Sequence, residues 1–158
     1  MKLLTLVFLK KDSQVLLAMK KRGFGVGKWN GVGGKVESGE TIPKAMVREC
    51  QEEIGVTPIG YEEVATIIFK EHHEGELKQM KVHVFMCSNW IGEPVESEEM
   101  RPQWYPIDYL PFDDMWVDDP YWLPQVLNGK SLTAEFTLNE TNEVTDNTVN
   151  LIEPVLRP

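Results

Sequence analysis

Glu49, Glu52 and Glu53 crowd into one short stretch, with Arg48 before them and Gly55 after. At about 100° per residue, a helix through them sets all three within roughly a third of its circumference. Pro43, Met46, Val47, Cys50 and Ile54 then occupy the opposite side. An ordinary amphipathic helix with a solvated acidic face explains that pattern. Yet three like charges within one turn repel one another, and two of them lie near the C-terminal end, where the helix dipole disfavours anions. A divalent cation turns the repulsion into coordination, because hard carboxylate oxygens are what Mg²⁺ or Mn²⁺ takes. The preceding Gly33 and Gly34 let the backbone come close to such an ion or to a phosphate. Phosphoanhydride cleavage suits this set: it needs phosphate charge neutralised, a water placed in line and a proton accepted.

A second feature lies just upstream. Lys20, Lys21, Arg22, Lys28 and Lys35 follow one another with no acidic residue between them, although the chain has 25 acidic against 16 basic residues and a net charge of -9. A local positive patch on an acidic protein suits a small polyanion, while the overall charge argues against a nucleic-acid polymer or an anionic membrane as partner. Read by charge alone, the same residues make a solvated loop.

The elements that must position these residues follow from pattern. A chain of 158 residues, 42% apolar and 9% aromatic, builds one domain, over residues 1–158, with a sizeable core. The runs Leu3 to Leu9 and Gln14 to Met19, parted by a short polar stretch, predict a hairpin. Six glycines from Gly23 to Gly34 make a long loop, and a helix is expected over Ile42 to Ile54, with Thr41 as N-cap and Gly55 ending it. Strands are expected at Glu62 to Lys70 and Gln79 to Cys87, joined through "EHHEGELK", and at Gln103 to Tyr105. "YWLPQVL" reads as a short second helix, "SLTAEFTL" as a strand, and the remainder as a polar tail with weak pattern. The sum is a mixed sheet with two helices, an α/β or α+β layered domain. The two cysteines, Cys50 and Cys87, lack metal-ligand spacing and read as reduced thiols. No signal peptide or membrane span is recognisable, so a cytoplasmic protein is expected, with the nucleus or mitochondrion as alternatives.

The spacing from Gly34 through Glu40, Arg48, Glu49, Glu52 and Glu53 to Gly55 and Val56 reads G-x5-E-x7-R-E-x-x-E-E-x-G-aliphatic. It resembles the signature of the Nudix hydrolases, with every charged and glycine position filled. Cys50 departs from the usual aliphatic residue and reads as packing, not as a nucleophile. The stretches "MKKRGFGVGKWNGVGGKVESGET", "VHVF", "PVESEEMRPQW" and "DDMWVDDPYW" are similar to the branch of that family that hydrolyses oxidised purine nucleoside triphosphates, over about Leu3 to Leu127. Leu4 and Glu71 depart from that branch, which carries bulky aromatics there.

The resemblance implies a Nudix fold, a mixed sheet between helices. It implies Mg²⁺-dependent hydrolysis of substrates of the 8-oxo-dGTP and 2-oxo-dATP type to monophosphate and pyrophosphate, with Mn²⁺ as a substitute. The catalytic set is then Arg48, Glu49, Glu52 and Glu53. Glu49 and Glu53 act as metal ligands with the Gly33 carbonyl and Glu99, Glu52 as a further ligand or the base, and Glu40 as a structural residue. Thr5, Lys20, Gly34 and Lys35 join the substrate site. Phe24, Phe69, Met80, Trp116 and Trp122 are candidate walls of a purine slot, and Asn30, Asp118 and Asp119 its polar ends. Each aromatic has a plain core role as its alternative, and Asp118-Asp119 a helix cap. The partner expected is a small nucleotide, bound by a monomer. A Nudix enzyme for another diphosphate-linked nucleotide, or an inactive nucleotide-binding module, remains open at this point.

Overall fold

The computed structural model describes residues 1–153. Strands β1 (Lys2–Lys11) and β2 (Gln14–Lys20) open the chain. A tight turn joins them, with Asp12 in the left-handed region at φ 54°. The expected hairpin goes no further than that turn: Lys10 pairs with Val15 and Lys11 with Gln14, and the strands then part. The glycine-rich segment fills the gap. Val7 N–H donates to the Val32 carbonyl at 2.7 Å, Val32 N–H returns the bond at 2.9 Å, and Thr5 N–H donates to the Gly34 carbonyl at 2.8 Å. Glycine is required for so close an approach, since a Cβ at Gly33 would lie 1.8 Å from the Thr5 carbonyl oxygen.

The two-residue strand β3 (Trp29–Asn30) pairs with β2, as does β6 (Met100–Pro106) along the whole of β2. Helix α1 (Ile42–Ile54) has the expected bounds: Thr41 Oγ1 accepts from Lys44 N–H at 3.3 Å, and left-handed Gly55 (φ 71°) ends it. Strands β4 (Thr57–His73) and β5 (Glu76–Ile91) run longer than the apolar pattern suggests. Their ladder continues to His73 opposite Glu76, so most of "EHHEGELK" is strand and only Glu74-Gly75 turns, both at positive φ. That is the chemistry of a two-residue hairpin turn. After a short 3₁₀ turn come α2 (Asp119–Leu127), β7 (Ser131–Leu138) and β8 (Val144–Ile152). The last strand falls where a patternless tail is expected; residues 154–158 of that tail lie outside the described residues. Asn139 makes β8 possible by accepting from Thr141 N–H and Glu143 N–H at 3.0 and 2.9 Å, which turns the chain back onto β7.

Strand order is β3-β2-β1-β5-β4-β7-β8, with β6 joined to β2. The β1–β5 and β4–β7 pairs are parallel and the others antiparallel, a mixed α+β sheet as expected. Period-two alternation serves two cores. Phe8, Val15, Leu17, Val82 and Val84 face α2, while Val7, Leu9, Leu16, Phe85 and Cys87 face α1. Burial on both faces explains why these strands read as continuous apolar runs. Among the described residues no helix is long and apolar enough to cross a membrane.

Candidate active site

Helix α1 buries Ala45, Met46, Cys50 and Ile54 against the sheet and thereby sets Arg48, Glu49 and Glu53 beside the glycine segment, with Glu52 exposed next to Arg48. Arg48 is the hub of that surface. Its guanidinium donates to Glu40 at 2.7 and 3.0 Å, to Glu49 at 2.9 Å, to Glu52 at 3.2 Å and to the Lys35 carbonyl at 3.1 Å. The Arg48 guanidinium holds the Glu40 carboxyl down at about 2. This bidentate pair braces the start of the helix.

Glu53 stands differently. Its Oε2 is buried without a hydrogen-bond partner. Burial, reinforced by the charges of Glu49 and Glu99 and opposed by Lys20 and the Gly33 amide, pushes its carboxyl up to about 8. Burial also raises Glu49, against the pull of Arg48. Gly34 lies so close that a Cβ there would sit 2.6 Å from the Glu49 carboxyl carbon. Among the described residues no three acidic, histidine or cysteine side chains converge tightly enough to hold a metal ion as they stand. Arg48 draws Glu49 and Glu52 aside, and Arg22 holds Glu99 at 3.2 Å. The donor chemistry nevertheless fits a hard divalent cation: an orphaned carboxylate oxygen, a raised carboxyl that nearby positive charge would lower, and a backbone cradle beside both.

Beside this surface opens a cavity of about 280 Å³. Thr5, Lys20, Phe24, Asn30, Gly33, Gly34, Phe69, Met80, Trp116, Asp118, Asp119 and Trp122 all line it. Lys35 does not; it lies opposite Leu4 and supports Arg48 through its carbonyl. Phe24, 76% exposed, stacks on Trp116 with centroids 5.3 Å apart, and the Lys28 ammonium sits 5.6 Å from the same indole. Trp122 is buried against Phe8 and serves the core as well as the cavity.

Asp118 and Asp119 stand at the start of α2, yet neither caps it with a side chain. Trp122 Nε1 donates to Asp118 Oδ2 at 2.8 Å, and Asp119 Oδ2 is buried without a partner. Burial raises both carboxyls. Asp119 rises further because the adjacent Asp118 charge opposes its ionisation.

The cavity also has walls outside the candidate set: Leu4, Leu6, Lys28, Ile67, Glu71 and Leu138. Alternation could have found some of them, because Ile67, Phe69 and Glu71 share one face of β4. A larger open groove near Lys11, Trp90 and Trp104 contains none of the candidate residues.

A family model described as NUDIX domain matches residues 4–126. The chain is 46% identical over 152 residues to the oxidized purine nucleoside triphosphate hydrolase of Danio rerio, covering 96% of each protein. It is 45% identical over 143 residues to the protein of that name in Mus musculus, covering 90% of each. The fold is similar to the crystal structure of the mutator MutT protein from Bacillus halodurans, with a TM-score of 0.84, 26% identity, and coverage of 94% of this chain and 97% of that one.

Proposed function

The chain belongs to the Nudix family, and from that premise we propose that it hydrolyses oxidised purine nucleoside triphosphates to monophosphate and pyrophosphate. The observation that carries this reading is a cavity running from Lys20, Gly33 and Gly34 to an aromatic slot ending in Asp118-Asp119, with the α1 carboxylates abutting its glycine edge, where a Cβ at Gly34 would lie 2.6 Å from the Glu49 carboxyl. One end meets phosphates and the other a base. Nudix hydrolases work with divalent metal ions, and Mg²⁺ is the cation proposed here, with Mn²⁺ as its substitute.

Glu49, Glu53 and the Gly33 carbonyl would hold the ion, with Glu99 swinging from Arg22 to join them. When bound, it supplies positive charge against the triphosphate oxygens and acidifies a water. The chain's own residues do the rest. Lys20 binds phosphate at the cavity wall and partly offsets the protein's net charge of -9. Arg48, anchored by Glu40, keeps Glu49 and Glu52 oriented. Glu52, with its side chain 60% exposed, is open to water and takes the proton from the attacking molecule. Phe24 and Trp116 close over the base, while Asn30 and the aspartate pair hold its polar edges. All these groups come from one chain, so a monomer suffices, and a free nucleotide in the cytoplasm is the substrate proposed.

The test is a panel of 8-oxo-dGTP, 2-oxo-dATP, ADP-ribose and a capped dinucleotide, incubated with Mg²⁺ while pyrophosphate and phosphate are measured separately. Pyrophosphate release from the oxidised triphosphates is expected. Preferential cleavage of ADP-ribose or the dinucleotide would overturn the substrate assignment.

A further inference from the structure

Glu71 is a cavity carboxylate for which the reaction above has no task. On β4 it follows Ile67 and Phe69 on the face that lines the cavity, and the register sets Lys78 of β5 and Leu138 of β7 beside it. Its side chain is only 17% exposed, and Oε2 lies 3.2 Å from Nε2 of His73, which braces it from the solvent side. Its charge reaches Asp118 and helps to hold that carboxyl up. Three carboxyl groups therefore border the base end, where the remaining walls are largely apolar. His73 meets Oε2, and among the described residues no protein donor meets Oε1, so a donor on a bound molecule would gain a hydrogen bond there.

We propose that Glu71 is a specificity-determining residue that accepts a hydrogen bond from the bound base, beyond the donors met by Asp118-Asp119. The inference rests on the purine reading of the cavity. An 8-oxoguanine has two further hydrogens to offer, the second one on the C2 amino group, which points away from the Watson-Crick edge, and the N7–H that exists only after oxidation at C8. Toward an unoxidised base, Glu71 would face the N7 lone pair, an acceptor against an acceptor. With N7–H as the donor the same carboxylate rewards the oxidised base and rejects its parent, whereas with the amino group it selects guanine-type bases.

The experiment reads binding without turnover, by calorimetry in metal-free buffer. The probes are 8-oxo-dGMP, dGMP, which lacks N7–H, and 8-oxo-dIMP, which lacks the 2-amino group. Wild type is compared with Glu71→Gln and Glu71→Leu, each checked for fold by circular dichroism; the near-isosteric Gln variant decides the matter should the Leu variant misfold. Glu71→Leu is expected to cut the preference for 8-oxo-dGMP over one comparator about tenfold, the scale of one lost hydrogen bond to a buried edge. Glu71→Gln, which keeps an acceptor oxygen without the charge, is expected to cut it less, and the comparator that responds identifies the donor. Preferences within twofold of wild type in the folded variants would overturn the role of Glu71 while leaving the purine reading intact. A wild type that distinguishes none of the three probes would overturn both.

Discussion

Asp119→Asn separates the base-recognition role of the acidic pair from a merely structural one. Asp119 is 2% exposed, its Oδ2 has no partner, and its carboxyl is raised well above the usual range, chiefly by burial and then by the Asp118 charge. With both carboxyls raised, a pair that shared one proton would present an acceptor and a donor to a base edge and could exchange them. Oxidised guanine offers donors on its Watson-Crick edge, whereas oxidised adenine also presents an acceptor. Asparagine reproduces one arrangement, an amide donating to Asp118, and cannot reach the other. Losing one good hydrogen bond at a buried edge costs roughly 1 to 3 kcal/mol, or about 5- to 150-fold. The ratio of kcat/KM for 8-oxo-dGTP over 2-oxo-dATP is therefore expected to change by about tenfold or more, and to lose its dependence on pH. The stability signature has a definite sign as well. A raised carboxyl leaves the native state binding more protons than the unfolded one, so this residue's contribution weakens as pH climbs from the ordinary Asp range toward the raised value. Asp119→Asn should then gain thermal stability relative to wild type as pH rises through that window. A folded variant with an unchanged substrate ratio at every pH would refute the recognition role.

Glu53→Gln is expected to keep the fold, nearly abolish turnover and blunt the thermal stabilisation that Mg²⁺ gives wild type; wild-type turnover in the variant at saturating Mg²⁺ would dismiss Glu53 as a ligand. Gly34→Ala and Gly33→Ala should fail in different ways. At Gly34 the obstacle is the end of the Glu49 side chain, 2.6 Å away, which can be displaced from Arg48 without moving backbone, so the protein folds but loses on the order of 10²-fold in kcat. At Gly33 the obstacle is the Thr5 carbonyl at 1.8 Å, which cannot yield, so the loss appears as a thermal melt lowered by many degrees. Cys50→Ala removes a fully buried thiol, held up at about 12 and hence inert, and should cost on the order of 1 kcal/mol in a denaturation titration while kcat is preserved.

The carboxylate helix was legible because every determinant of it is local. Thr41, Pro43 and Gly55 mark its ends, and the apolar face of Met46, Cys50 and Ile54 sets its orientation. The cavity walls Phe69 and Met80 were legible only through the family resemblance and the purine it implies; strand alternation agrees with Phe69, which shares a face of β4 with Ile67. What stayed hidden depends on chain segments far apart in sequence. Nothing in Leu3 to Leu9 says that its edge belongs to Val32 and Gly34 instead of β2. Strand β8 has little apolar alternation because it is an exposed edge, and Asn139 builds its turn with a side chain. Arg48 could be read as a neighbour of Glu49, but its reach to Glu40 and the Lys35 carbonyl needs the folded loop. That reach explains why Lys35 supports the helix through its backbone.

The decisive measurement is the ratio of kcat/KM for 8-oxo-dGTP over dGTP in Mg²⁺, with the products separated chromatographically. A ratio well above one, with monophosphate and pyrophosphate as products and no turnover in excess chelator, is the expected result. Equal rates for the two nucleotides, or release of inorganic phosphate with a diphosphate left behind, would contradict the joining of an oxidised-base slot to the α1 carboxylates in one site.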